Sequence, residues 1–180
     1  HQFESFAANY PRSEKIEEAS FIGAKSFSKL SRVYSLEQDD TYKAIEKLQG
    51  FIDEYPESTY LAEANLVAKE LREKVEKKSF ENAKQYNRIE DHKSAIVALE
   101  NFIINYPGTP FKEKALYYKL DSSYKLAINS VPARMQERLE NAKNAYNSLV
   151  KFNTGTEFKS KADEMLARIE NDLKQFSKIN

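Results

Sequence analysis

The chain has no cysteine and no tryptophan, two histidines, four glycines and five prolines in 180 residues, and no net charge. The absence of cysteine excludes disulfides, thiolate metal sites and cysteine nucleophiles. So little glycine and proline argues against an all-β sandwich, whose many tight turns need both, and favours long helices with few breaks. The 28 Lys and Arg are matched by 28 Asp and Glu, so the whole-chain field offers no attraction to nucleic acid or to an anionic membrane as the main partner. No apolar run approaches the roughly 20 residues of a membrane-spanning helix, and the opening HQFESF is no signal peptide. Beginning inside an amphipathic pattern at His1 and Phe3, the sequence is expected to be a piece of a longer precursor from which a signal or anchor has been removed. Motifs of catalysis are missing as well: there is no HExxH, no glycine-rich phosphate loop, no GxSxG and no calcium-loop spacing. His92, next to Asp91, reads as a solvated first-turn residue. No catalytic residue, metal ligand set or cofactor is expected.

What is present is a repeated phrase. FAANYPRSEKIEEA (6–19), FIDEYPESTYLAEA (51–64) and FIINYPGTPFKEKA (102–115) share one cadence, and a fourth copy keeps the spacing with Asn153 and Thr154 in place of Tyr-Pro. Phe6, Phe51, Phe102 and Leu149 stand seven residues before Ser13, Ser58, Thr109 and Thr156, and Ala19, Ala64, Ala115 and Ala162 stand six after. A helix is stopped by Pro, which lacks an amide hydrogen and drives the preceding residue out of the α region; Ser or Thr then caps the next helix. Upstream, Ala44, Ala95 and Ala142 each precede the turn position by twelve residues. Ile45, Leu48, Phe51 and Ile52, like Ile96, Leu99, Phe102 and Ile103, then fall on one helix face.

This pattern predicts helices over 1–9, 14–34, 40–55, 59–89, 92–106, 111–128, 133–151 and 157–176, the 59–89 segment being one long helix or two nearly collinear ones. Asp39 and Asp40 read as loop-end and cap residues, and Ser130 as the cap of the helix that Pro132 opens. The Ala-to-Pro spacing resembles the second helix of a tetratricopeptide repeat. The cycles are longer, however: Pro11 to Pro56 spans 45 residues and Pro56 to Pro107 spans 51, against about 34. The expected fold class is all-α, a right-handed α-solenoid of tetratricopeptide-like helical hairpins. It would form a single array over 1–180: a repeat remnant at 1–11, repeats at 12–56, 57–107 and 108–154, and a C-terminal helix at 155–180.

Candidate binding residues follow from charge and aromatic placement. Lys25, Lys29 and Arg32 fall at i, i+4 and i+7 of the expected 14–34 helix, a one-face basic stripe suited to an extended acidic peptide or a chain carboxylate. Arg134 and Arg138 form an i, i+4 pair near the other end. Most of the eleven Tyr and eleven Phe occupy repeat positions, as do Phe6, Tyr10, Phe51, Tyr55, Phe102 and Tyr106, and so read as packing residues. Tyr42, Tyr117, Tyr118 and Tyr124 lie elsewhere; Tyr124 is taken with the basic residues as a candidate surface contact.

Three stretches carry a family resemblance: LEQDDTYKAIEKLQGFIDEYPESTYLAEA (36–64), ELREKVEKKSFENAKQY (70–86) and SAIVALENFIINYPGTPFKEKAL (94–116). They are similar to the Asp-Gln, Thr, Ala, Phe and Tyr-Pro-x-Ser order, followed by a Leu-Arg and Lys-Glu linker helix, of the BamD (YfiO) family of outer-membrane lipoproteins, with Asp39 after Gln38 where the family has its Asp before the Gln. The family often carries an Arg where this chain has Ala98. The resemblance implies a non-enzymatic scaffold of the β-barrel assembly machinery, lipid-anchored on the periplasmic face of the outer membrane. Its implied partners are the periplasmic domains of the barrel-forming subunit, docked through the C-terminal repeats, and unfolded outer-membrane proteins at the N-terminal repeats. Rival readings are another periplasmic tetratricopeptide adaptor of the Tol-Pal type and an accessory helical domain of an envelope enzyme.

Overall fold

A computed structural model describes residues 2–176, apart from the side chains of Glu4 and Ala7; His1 lies outside the described residues. The described chain is all helical: α1 (Gln2–Asn9), α2 (Ile16–Ser28), α3 (Asp39–Glu54), α4 (Leu61–Arg88), α5 (His92–Asn105), α6 (Lys112–Ile128), α7 (Pro132–Phe152) and α8 (Lys159–Phe176). It divides into two compact units, His1–Lys78 and Ser79–Asn180, the boundary falling within α4, which is one continuous helix.

The four turns are copies of one another at the level of single hydrogen bonds. The amides of Tyr10, Tyr55, Tyr106 and Asn153 close the preceding helices on the carbonyls of Phe6, Phe51, Phe102 and Leu149 at 2.9–3.0 Å. The hydroxyls of Ser13, Ser58, Thr109 and Thr156 then accept from the amide two residues on, at 3.0–3.3 Å. Their carbonyls accept from the amide three residues on, where the new helix begins. The Ser or Thr therefore acts two residues before the cap position, by building the tight turn that leads into the helix. In the fourth copy the Asn153 side chain accepts from the Gly155 amide at 3.0 Å, a side-chain turn that replaces the rigidity Pro supplies in the others. Asn153 is extended (φ −147°, ψ 106°), a conformation open to a residue before Pro. Thr154→Pro is therefore expected to raise stability by about 0.4–1 kcal/mol, by restricting the unfolded chain, and a urea melt would register it.

Each unit has its own core. In the first, Phe21 and Ala24 of α2 meet Ala44, Leu48 and Phe51 of α3 and Ala64, Ala68 and Leu71 of α4. In the second, Phe80 and Ala83 meet Ala95, Leu99 and Phe102 of α5 and Ala115 of α6. Leu116, Leu120, Ala145, Leu149 and Ala162 form the next layer, and Tyr124, Ala127, Leu139, Ala142 and Ile169 the last. The repeat alanines are buried because nothing larger lets neighbouring helices approach so closely. Each Phe or Leu set between them contributes about 1.5–3 kcal/mol. Phe80 repeats the role of Phe21: Phe21 touches Phe51 (5.4 Å between ring centres) and stacks on Tyr60 (4.8 Å), while Phe80 touches Phe102 (5.7 Å) and stacks on Phe111 (5.6 Å).

Several local expectations fail. The helix expected to reach residue 34 ends at Ser28. Ser26 and Ser28 donate their hydroxyls to the carbonyls of Ile22 and Lys25 (2.6 and 2.7 Å), and the amides of Lys29, Leu30 and Ser31 turn to acceptors three residues back. Competing hydroxyls and tightened turns unwind the helix there. Asp39 and Asp40 lie inside the first turn of α3, and the cap position belongs to buried Gln38. Ser130 does not cap α7; Val131 holds that position with no side-chain bond. Asp91 does cap α5, accepting from the Ser94 amide at 3.1 Å, and its contacts with Ser94 hold its carboxyl below the usual range. The turn before it reverses without glycine, Glu90 taking the left-handed conformation at φ 62°. His92 is half-buried rather than solvated, with Nδ1 closed off from solvent and without a hydrogen-bond partner. Tyr10, read as a packing residue, is largely exposed and lies against the Phe6 ring.

Candidate functional site

A groove of about 590 Å³ lies in the second unit, lined by α5, α6 and α7. Its apolar wall is Ile96 and Val97 of α5 with Leu126 of α6; its cations are Lys93, Lys119, Arg134 and Arg138. Two acids share the space, Glu100 and Glu137, and Glu100 is engaged by Lys119 across α5 and α6 at 3.3 Å. Asn141, Asn144 and Ser148 continue the floor along α7 as neutral donors and acceptors.

The groove follows from local rules. Pro132 at the first position of α7 sets the helix start, and Val131 before it is extended (φ −63°, ψ 147°). Arg134 and Arg138 are then one turn apart on the face turned to α5 and α6. Ser130 donates to the Leu126 carbonyl and accepts from Arg138 Nη1, so the serine expected to cap α7 instead fixes the direction of a groove guanidinium. An apolar wall beside oriented cations binds by burying aliphatic or aromatic side chains while pairing carboxylates, the pattern by which repeat proteins take extended segments.

The other candidate residues are dispersed. Lys25 lies in the last turn of α2, paired with Glu63 of α4 at 2.5 Å. Lys29 is the residue after α2 ends, and Arg32 lies in the following loop, both exposed. The one-face basic stripe does not form, because the helix that would display it stops at Ser28. Tyr124 is 9% exposed, packed with Leu139 and Ile169, and lies with Arg168 at the rim of a small pocket. Tyr117 stacks on Phe158 at 4.2 Å, and Tyr118 lies beside Phe80 beneath Lys84. Ala98 is half-buried against the second core.

Sequence reasoning missed a repeated tie between turns. Ser58 donates its hydroxyl to Glu17, joining the second turn to the helix that leaves the first. In the second unit Glu113 stands at the same place, four residues after Thr109. The Thr156 hydroxyl, then Asn153 and the Glu157 backbone, hold its carboxyl below the ordinary range, against burial, which pulls it up. The signal was in the sequence, a Glu four residues after the Ser or Thr of the first and third copies, but its partner is about 40 residues away.

Among the described residues no group of three or more His, Asp or Glu is placed to hold a metal ion, and no helix is long and apolar enough to cross a membrane. A comparison with curated proteins finds no match. The model of one family, described as YfiO, outer membrane lipoprotein, matches residues 1–139 and again 76–177. Those matches span nearly the whole chain, and with the helical tetratricopeptide-like fold they fix its kinship: the chain belongs to the YfiO (BamD) family of outer membrane lipoproteins.

Proposed function

We propose that the protein is a non-enzymatic scaffold of outer-membrane β-barrel assembly, held by a lipid at the periplasmic face of the outer membrane. In this reading the repeats at 12–56, 57–107 and 108–154 serve as protein-binding modules. The groove of α5, α6 and α7 receives a segment of the barrel-forming subunit's periplasmic domains, and the N-terminal repeats engage unfolded outer-membrane proteins. The observation that carries the reading is the family match across the chain. The groove supports the docking end, since Arg134 and Arg138 lie beside an apolar wall and Glu100 is already engaged by Lys119.

The test is co-purification from gently solubilised outer membranes of the native host, using the protein tagged at its C-terminus. Recovery of the barrel-forming subunit in near-equal amount supports the scaffold. Recovery of peptidoglycan-associated or Tol-type proteins in its place overturns it.

A further inference from the structure

The connection between α2 and α3 is turned inside out. Its polar groups point inward: Gln38, 2% exposed, donates from Nε2 to the carbonyls of Val33 and Leu36, each at 2.9 Å, and its Oε1 accepts the Thr41 hydroxyl at 2.8 Å. Thr41 has spent its only proton there, so the 2.6 Å bond between Ser31 and Thr41 has Ser31 as donor. Lys74 donates to Ser31 Oγ and Lys78 to the Leu36 carbonyl, both at 2.7 Å, and the Lys77 ammonium lies 4.4 Å from the centre of the Tyr34 ring. The aliphatic side chains at every third position go the other way, with Leu30 56%, Val33 63% and Leu36 49% exposed. Lys29, just before them, and Arg32, among them, are exposed as well. A loop tied in this way cannot hide its leucines without breaking buried hydrogen bonds, so the packing enforces the exposure.

We infer that this loop seats on a phospholipid surface, with Leu30, Val33 and Leu36 entering the boundary between headgroups and acyl chains and Lys29 and Arg32 pairing with phosphates. Single exposed aliphatic side chains on a loop, with cations beside them, suit a bilayer interface, which each side chain can enter separately; a protein partner would need a pocket for each. The inference takes its setting from the family match: kinship with outer membrane lipoproteins puts a phospholipid surface within reach of the loop. The chain carries no net charge, so binding must come from a local surface and not from the field of the whole molecule. In the second unit the connections before α5 and α7 likewise expose Ile89 and Val131.

The experiment is flotation of the 180-residue chain with vesicles of phosphatidylethanolamine and phosphatidylglycerol, no barrel subunit being present, so that it fails or succeeds independently of the docking reading. The chain has no tryptophan, and Val33→Trp therefore reports without background. The expected results are flotation of the parent protein, a blue shift of the Val33→Trp emission on adding vesicles, and partition about tenfold weaker for the Leu30→Ser, Val33→Ser, Leu36→Ser triple variant at an unchanged melting temperature. Lys29→Ser with Arg32→Ser should weaken binding to vesicles containing phosphatidylglycerol, and Ile104→Ser, exposed in the second unit, should float like the parent. A parent protein that stays in the soluble fraction, a triple variant that floats equally well, or an unshifted Val33→Trp emission overturns the inference.

Discussion

Ala95→Glu is expected to cost about 4 kcal/mol or more and to lower the melting temperature by roughly 10 °C or more. Ala95 is fully buried where α5 meets Phe80 and Ala83 of α4 and Ala115 of α6. A longer side chain there drives the helices apart, and a carboxylate would be shut in with apolar neighbours on every side of that core layer. The same substitution at Asn101, exposed on the same helix, is expected to change stability by no more than about 0.5 kcal/mol. The two melts together separate close helix packing from helix propensity. An Ala95→Glu melt indistinguishable from that of the parent would show that the repeat alanines do not set the helix spacing.

Gln38→Ala should cost about 2–4 kcal/mol, although the residue lies in a loop. The substitution strands the Val33 carbonyl, takes the acceptor from the Thr41 hydroxyl and leaves the Leu36 carbonyl to Lys78 alone, and it removes the last link of the chain that runs from Lys74 through Ser31. Its local signature is faster amide exchange across residues 29–38, with the protection of α5 to α8 in the other unit unchanged. If exchange in the loop is unaltered, the inward-facing network is not what holds it.

The architecture was legible where the determinant is local. Pro at fixed distance from Ser or Thr acts within a single turn, so the three Tyr-Pro turns and their degenerate fourth copy could be read in register. The alanines and aromatics twelve and five residues before them marked the buried face of α3 and α5. The end of α2 was not legible, because propensity and periodicity run on through Lys29 and Arg32; the serine hydroxyls that take the carbonyls of Ile22 and Lys25 decide it. Losing that end also lost the basic stripe. The inward turn of Gln38 was not read from the sequence, since the network around it is completed by Lys74 and Lys78 of α4, about 40 residues away.

Half of the candidate site was visible in the same sense. Arg134 and Arg138 could be paired from their spacing on one helix. Lys93, Lys119, Ile96 and Val97 join them only because α5, α6 and α7 fold together. Tyr124, chosen as a surface aromatic, went the other way: it follows Leu120 by one turn on the inner face of α6, and that periodicity outweighs its hydroxyl.

The scaffold account is tested most directly by titrating the 180-residue chain with the purified periplasmic domains of its host's barrel-forming subunit, beside the Arg134→Glu, Arg138→Glu double variant. Both side chains lie in the groove and neither is in the core, so the variant should melt like the parent. The account predicts saturable binding by the parent and at least about a tenfold loss in the variant, since reversing two paired charges turns attraction into repulsion. Absence of binding by the parent, or equal binding by a folded variant, would contradict docking at this groove.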